Sequence, residues 1–335
     1  MNALRALIAI LAVALAATIV AWSNFPAILV VIPYVAFALF LVGFSYRILR
    51  WAWVPVPFRI TATCGQQKSL PWIKPAPLDN PSTNWGAFGR VTLEVLLFRS
   101  LFRNSRARLG SGKLSFREDQ WLWAGALAFH WSLLTILIRH LRFFLQPVPA
   151  WVRGIERLDG MLQVGLPHIY ISDVVFAAAL AYLLIRRLQD PVLRFVSLFS
   201  DYFALFLLSG IALTGLLMRF FVHADLVAIK QFGLSLAAMH PHAPTSVSPI
   251  FVIHLLMVSV LAGYFPASKL MHMAGVFLSP TRNLPNNNRA KRHVNPWNAP
   301  VAAHSYAEWE QEFRDKLKIA DLPLEVEDAE RTTAD

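Results

Sequence analysis

The chain is short of cysteine, of acids and of charge altogether, and each shortage closes off a class of function. A single cysteine, Cys64, stands among 335 residues. One thiol cannot build a disulfide framework, and it cannot by itself ligate an iron–sulfur cluster, which usually takes four thiolates. Covalent haem attachment through Cys-x-x-Cys-His is excluded as well. Cys64 reads as a loop cysteine without a role. Charged residues make up 15% of the chain and hydrophobic ones 56%, whereas soluble domains carry roughly 25% charged residues. A mean hydropathy of +0.48 agrees with a polytopic membrane protein in the lipid bilayer. The net charge of +11 does not point to nucleic acid, because the basic residues lie in loops between apolar runs, where membrane topology accounts for them. No P-loop, glycine-rich nucleotide fingerprint, nucleophile motif or internal repeat is evident.

What is present is a set of long apolar runs. Six predicted spans cover Leu4–Trp22, Pro26–Leu49, Trp121–Leu145, Ile169–Leu188, Val192–Val222 and Pro249–Val276. Each reaches the roughly 20 residues a helix needs to cross the hydrocarbon core. Only helices satisfy their own backbone there, and no alternating pattern suggests a barrel. The expected fold is therefore all-α, an integral membrane helical bundle. The first run follows one early charge, Arg5, and resembles a signal peptide. At about 19 residues it exceeds an h-region of roughly 7–15, so it reads as a retained helix.

Loop charges orient the bundle. Arg47, Arg50, Arg59, Lys68, Lys74, Arg90, Arg99, Arg103, Arg106, Arg108, Lys113 and Arg117 crowd the second loop, with few acids against them. Arg186, Arg187 and Arg194 mark the fourth-to-fifth turn, and Arg282, Arg289, Lys291 and Arg292 follow the last span. The opposite loops are uncharged or balanced. The positive-inside rule then puts both termini and the long second loop in the cytoplasm, of a cell whose inner membrane holds the bundle. This divides the chain into two N-terminal helices (1–49), a basic cytoplasmic loop (50–118), a histidine-bearing helical domain (119–276) and a cytoplasmic tail (277–335). Leu93–Phe102, within the basic loop, reads as a short amphipathic helix. The last 28 residues hold ten acids, Glu308, Glu310, Glu312, Glu325, Glu327 and Asp328 among them. They suit a solvated tail or, with Trp309 and Phe313 four apart, a docking surface for a cytoplasmic partner.

Four histidines stand inside the apolar runs: His130 and His140 in the third, His254 and His272 in the sixth. Ten residues of ideal helix separate the first pair by about 80° and about 15 Å. Eighteen put the second pair on one face, about 27 Å apart. The two spans run in opposite directions, so His140 meets His254 toward the outside and His130 meets His272 toward the inside. No carboxylates accompany them as in a di-iron site. Two bis-histidine sites in apolar surroundings suit b-type haem, with imidazoles as axial ligands to the iron. A transporter or scaffold with packing histidines, or a carrier of another histidine-ligated metal, remains open on spacing alone. The unequal spacings of 10 and 18 conflict with straight helices, and Pro266 is placed to kink the sixth.

The two spacings, with the segment from His254 through Phe265-Pro266-Ala267-Ser268-Lys269-Leu270-Met271-His272 and the run Leu213-Thr214-Gly215-Leu216, resemble the cytochrome b (gamma) subunits of respiratory nitrate reductases. The likeness covers about Gln120–Met273. It implies a four-helix dihaem domain over 119–276, with an inner haem b on His130 and His272 and an outer one on His140 and His254. The extra N-terminal spans, Cys64-Gly65-Gln66-Gln67-Lys68 and the Trp85–Arg108 stretch are similar to the DsrM-type cytochrome b subunits of membrane complexes in dissimilatory sulfur metabolism. That resemblance implies electron exchange with menaquinone or menaquinol near the outer haem. It also implies a cytoplasmic iron–sulfur partner related to heterodisulfide reductase, and periplasmic and membrane redox subunits.

Further candidates surround these positions. Arg139, Arg142 and Arg219 lie near outer span ends, where arginines snorkel or meet haem propionates and a quinone; Lys269 has the same choice on the inner side. Asp173 is an outer candidate for a quinol site, and Asp201 reads as an interhelical contact. His168, His223, His240 and His242 read as solvated loop histidines, one of them a possible proton acceptor. His293 and His304 read as incidental. Trp51, Trp53, Trp121 and Trp123 fit an interfacial belt.

Overall fold

A computed structural model describes residues 1–23, 26–54, 65–110, 113–162, 168–244, 247–287 and 304–325. Cys64, Arg59, Arg289, Lys291, Arg292, His293, Glu327 and Asp328 lie outside the described residues. Two compact units divide the chain: Met1–Val54 with Arg59–Arg292, and Pro55–Phe58 with His293–Asp335.

The first unit is helical. Its long helices are α1 (Asn2–Trp22), α2 (Pro26–Ala52), α5 (Gln120–His140), α7 (Ile171–Gln189), α9 (Phe199–Leu217) and α11 (Pro249–Tyr264). Shorter ones are α3 (Asn84–Leu97), α4 (Arg99–Phe102), α6 (Ala150–Asp159), α8 (Pro191–Val196), α10 (Leu226–Ala237) and α12 (His272–Leu278). The all-α expectation needs one correction. Ser105–Gly110 (β1) and Lys113–Glu118 (β2) pair antiparallel, Ser105 opposite Glu118. The basic segment there alternates in sequence and has no apolar stripe to bury as a helix.

Among the described residues, five stretches are long and apolar enough to cross a membrane: Asn2–Trp22, Pro26–Ala52, Gln120–Phe143, Phe199–Val222 and Pro249–Ala267. The fourth expected span, α7, falls outside this set because every 18-residue stretch of it contains Asp173, Arg186 and Arg187. The fifth was expected from Val192 but begins at Phe199. Asp190 caps α8 through the amides of Val192 and Leu193, with Pro191 opening it, and Ser197 and Leu198 then leave helical geometry.

The sixth expected span is broken rather than continuous. Proline cannot donate to the helix ladder, and α11 stops at Tyr264, just before Pro266. A 3-10 turn at Phe265–Ala267 leads to an extended Ser268, whose hydroxyl accepts from Leu270 N at 3.1 Å and starts another turn. Only at His272 does α12 begin. Gly43 of α2 makes room for this break: a Cβ there would stand 2.7 Å from Pro266 Cβ.

Apolar faces join these elements. α1 packs on α9 and α11, and α2 lies along α11 and the Phe265–Ala267 turn. Ile10 of α1 closes with Leu207 and Met257 into one cluster. Phe129, Phe176, Ala179, Leu180 and Leu208 knit α5, α7 and α9 into another. The second unit holds α13 (Tyr306–Ile319), opened by a capping box of Ser305 and Glu308. Trp309 stacks between Tyr306 and Phe313 along one face. Glu310, fully buried, accepts from Glu325 N at 3.0 Å and so folds the following segment back on the helix.

Candidate functional site

Each of the four histidines has its Nδ1 engaged. His130 Nδ1 lies 2.7 Å from Ala126 O, His140 Nδ1 2.7 Å from Ile136 O, and His272 Nδ1 2.8 Å from Lys269 O. A carbonyl only accepts, so in all three the Nδ1–H donates and Nε2 keeps its lone pair. His254 Nδ1 is 2.9 Å from Thr214 Oγ1. The threonine hydroxyl is committed to the carbonyls of Gly210 and Ile211 one turn back, so it accepts from His254. Four imidazoles therefore present the same nitrogen, the state in which histidine ligates metal while its other nitrogen is anchored.

The break in the sixth span decides which histidines meet. His130 and His272 ring centres lie 5.9 Å apart with their planes at 86°. Two metal–imidazole bonds of about 2 Å each fit between imidazoles at this spacing. The spacings of 10 and 18 are not two stretches of one ideal helix geometry, because the seven irregular residues from Phe265 to Met271 interrupt the helix between His254 and His272. The expectation of 27 Å along one continuous face is overturned for that reason. At the other end, His140 closes α5 and His254 lies within α11. Gly215 flanks His254: a Cβ there would come within 3.5 Å of its Cε1. Among the described residues no cluster of three or more His, Cys, Asp or Glu side chains has the arrangement of a metal site. The His130 and His272 imidazoles, with Nδ1 engaged and Nε2 free to ligate, would suit a haem iron and would supply its protein ligands.

At the His140 end of α5 lies an ionic cluster. Arg139 donates to Asp159 at 2.8 Å, to Asp173 at 3.0 Å and to Ser172 Oγ at 2.9 Å. Asp159 also takes Ser172 N and its hydroxyl. The Tyr170 ring stands between two guanidinium groups, Arg139 at 3.3 Å and Arg219 at 4.3 Å from its centre. Its hydroxyl donates to Glu156, which also pairs with Arg142. Arg219 rides on a π-turn at Met218–Val222 and donates twice to the His168 carbonyl. His168 was expected to be solvated, but its Nδ1 is shielded and unpartnered; its carbonyl is pinned by Arg219 into the wall of this cluster. His223, His240 and His242 are exposed as expected. Asp201 makes the expected interhelical contact, 2.8 Å from Lys269 Nζ and 3.8 Å from Arg187.

The basic loop folds onto His130 and the start of α5. Leu93–Phe102, expected as one helix, breaks at Phe98, whose φ of 50° is left-handed. The Phe98 ring sits 4.9 Å from His130 at 87°. Trp123 and Trp131 of α5 donate to the carbonyls of Leu97 and Leu96. Arg99 and Arg103 grip Asp79, and the Arg99 hydrogen bond above all draws its carboxyl down to about 2.

Residues 82–286, more than half of the chain, match the family model described as nitrate reductase gamma subunit. The chain belongs to the nitrate reductase gamma subunit family. The matched segment holds all four histidines, the Phe98 turn and the ionic cluster around Arg139. Two relatives extend the match beyond that family core. An Hdr-like menaquinol oxidoreductase cytochrome b-like subunit of Archaeoglobus fulgidus is 46% identical over 275 residues, 80% of this chain and 82% of the relative. Its namesake in Archaeoglobus profundus is 44% identical over 273 residues, covering 79% and 81%. Membership in the gamma subunit family agrees with the histidine spacings that suggested it. Thr214, Asp159, Glu156, Tyr170 and Phe98 had no role assigned from sequence. Thr214 stood inside a quoted run, and its spacing of one helical turn from Gly210 was the available signal. The others gain meaning only from distant partners.

Proposed function

We propose that this chain is the dihaem cytochrome b-like subunit of a membrane complex that exchanges electrons between menaquinol and a cytoplasmic iron–sulfur partner. The observation that carries it is the shared state of the four histidines: Nδ1 anchored, Nε2 available, two and two. His130 and His272 hold the inner haem b, and His140 and His254 the outer one. Haem b supplies reversible one-electron transfer when bound. The chain's part is to fix the ligands, exclude water and surround them with apolar helices. Thr214 and the three carbonyls hold each imidazole in one tautomer.

Lys269 and Arg142, with side chains 67% and 42% exposed, have surface left to meet haem propionates; Arg219 reaches the outer site from its π-turn. Arg139 and Asp173 form part of the wall of the quinol site. Half-buried and paired with each other, they set the end of α5 against the start of α7. The names of the Archaeoglobus relatives support menaquinol as substrate and a place in an Hdr-like complex. The DsrM-like layout of the N-terminal half supports service in sulfur metabolism, with periplasmic and membrane redox subunits beside it.

Six spans, with α7 as the fourth, return both termini to the cytoplasmic side of the inner membrane. The protein purified in detergent is expected to carry two haem b per chain by pyridine haemochrome. His140→Ala or His254→Ala loses the outer haem alone, and His130→Ala or His272→Ala the inner alone. A haem-free preparation would falsify the assignment.

A further inference from the structure

Phe98 occupies a backbone conformation that disfavours it. At φ 50° and ψ 47° glycine fits freely and a bulky side chain is strained. Such an outlier persists when its surroundings hold it, and it tends to mark functional positions. Here the surroundings are specific. Glu94 accepts from the amide and the hydroxyl of Ser100 just past the turn. Two indoles hold the carbonyls of Leu96 and Leu97, and Asp79 holds Arg99 and Arg103. All of this fixes one ring against one imidazole. Phe98 meets His130 edge-on at 4.9 Å and 87°, and Phe129 meets the same imidazole at 4.9 Å and 86°. With Nδ1 tied to Ala126, His130 has little freedom to rotate.

We propose that Phe98, delivered by the basic α3–α4 segment, is a positioning residue that sets the plane of the His130 imidazole and so tunes the inner haem. The inference rests on the haem reading above. The His130 and His272 rings stand at 86° to each other, and with a haem held between them that angle would set how the two imidazoles overlap with the iron. It therefore shapes both the anisotropy of the low-spin ferric signal and the reduction potential, which surrounding contacts tune.

The test uses the full chain with haem, comparing wild type with Phe98→Gly, which suits the backbone and deletes the ring, and Phe98→Tyr, which keeps the ring. Haem content, low-temperature EPR and a redox titration are recorded, and the inner signal is assigned by its loss in His272→Ala. Phe98→Gly is expected to move the g value and midpoint of the inner haem, or to lose that haem alone, while the outer haem stays as in wild type. Phe98→Tyr is expected to restore wild-type values. An unchanged inner signal, an equal shift at both haems, or loss of both haems overturns the proposal, the last because it assigns Phe98 to folding only. A wild type without haem b overturns the haem reading and this one together; a haem-replete wild type with an indifferent inner signal overturns this one alone.

Discussion

A histidine in an apolar helix needs a reason for each of its two nitrogens. In this chain one nitrogen of every membrane histidine is spent on the protein, three times on a carbonyl and once on a hydroxyl. The hydroxyl is the vulnerable case, because Thr214 is the acceptor that fixes the tautomer of His254. Thr214→Val keeps the shape and removes the acceptor. It leaves a half-buried imidazole N–H unpaired, a penalty of about 1–3 kcal/mol, and loosens a ligand by roughly 10–100-fold in metal affinity. Haem stoichiometry in that variant is expected to fall from two toward one, with the inner haem retained and Thr214→Ser close to wild type; full outer occupancy in Thr214→Val contradicts the role. The histidines themselves were legible in the sequence because an imidazole inside an apolar run is conspicuous on its own. Thr214, Asp159 and Phe98 were not. A threonine, an aspartate near a loop and a phenylalanine in an apolar decapeptide are each ordinary until a partner 40, 13 or 32 residues away comes into contact.

At the scale of elements, the sequence conveyed where helices lie better than where they stop. Long apolar runs announced α1, α2, α5, α9 and α11. The breaks at Ser197, Phe98 and Ser268 depend on local hydrogen bonds that hydropathy does not register, although Pro266 gave warning of the third. The α3–α4 turn is a stopped helix held partly by charge, and this makes it sensitive to acid. Arg99 and Arg103 keep the Asp79 carboxyl near a pKa of about 2, below its ordinary 3.8. A carboxylate with a depressed folded pKa stabilises the fold above the unfolded value, about 3.9, and that contribution is lost as pH falls through the folded one. Asp79 therefore contributes fully at neutral pH, and its hold on α4 fails between about pH 4 and about pH 2. Hydrogen exchange of the Leu93–Arg103 amides, corrected for its intrinsic pH dependence, is expected to rise across that window in wild type. In Asp79→Asn it is already raised at neutral pH. A flat wild-type profile down to the acid end is the contrary result.

For the whole molecule the open quantity is the number of crossings, since an even count returns the chain to its starting side and an odd one does not. Composition sets α7 apart from the five apolar stretches, but its contacts set it among them. Its first turn is tied to the last turn of α5 through Asp173 and Arg139, and its last turn to the first residues of α5 through Arg186 and Asp119. Midway, Tyr182 fills the space beside Gly125, where a Cβ would come within 2.6 Å of the ring. An antiparallel partner matched at both ends is expected to cross with α5. The charges that lower its hydropathy are paired and sit at its ends, where a spanning helix carries them most cheaply. Cysteine labelling decides the point. With Cys64 replaced by serine, a thiol at Gly154 in α6 and one at Gly89 in α3 both enter open space, since a Cβ at either glycine meets nothing within 4 Å. Arg194, exposed in α8 beyond the far end of α7, supplies the third site. A membrane-impermeant maleimide applied to intact cells with the outer barrier opened is expected to label Gly154→Cys at once, and Gly89→Cys and Arg194→Cys only after the inner membrane is permeabilised. Labelling of Arg194→Cys together with Gly154→Cys means that α7 does not cross, that the count is five, and that α9 and α11 run opposite to the directions the histidine pairing requires.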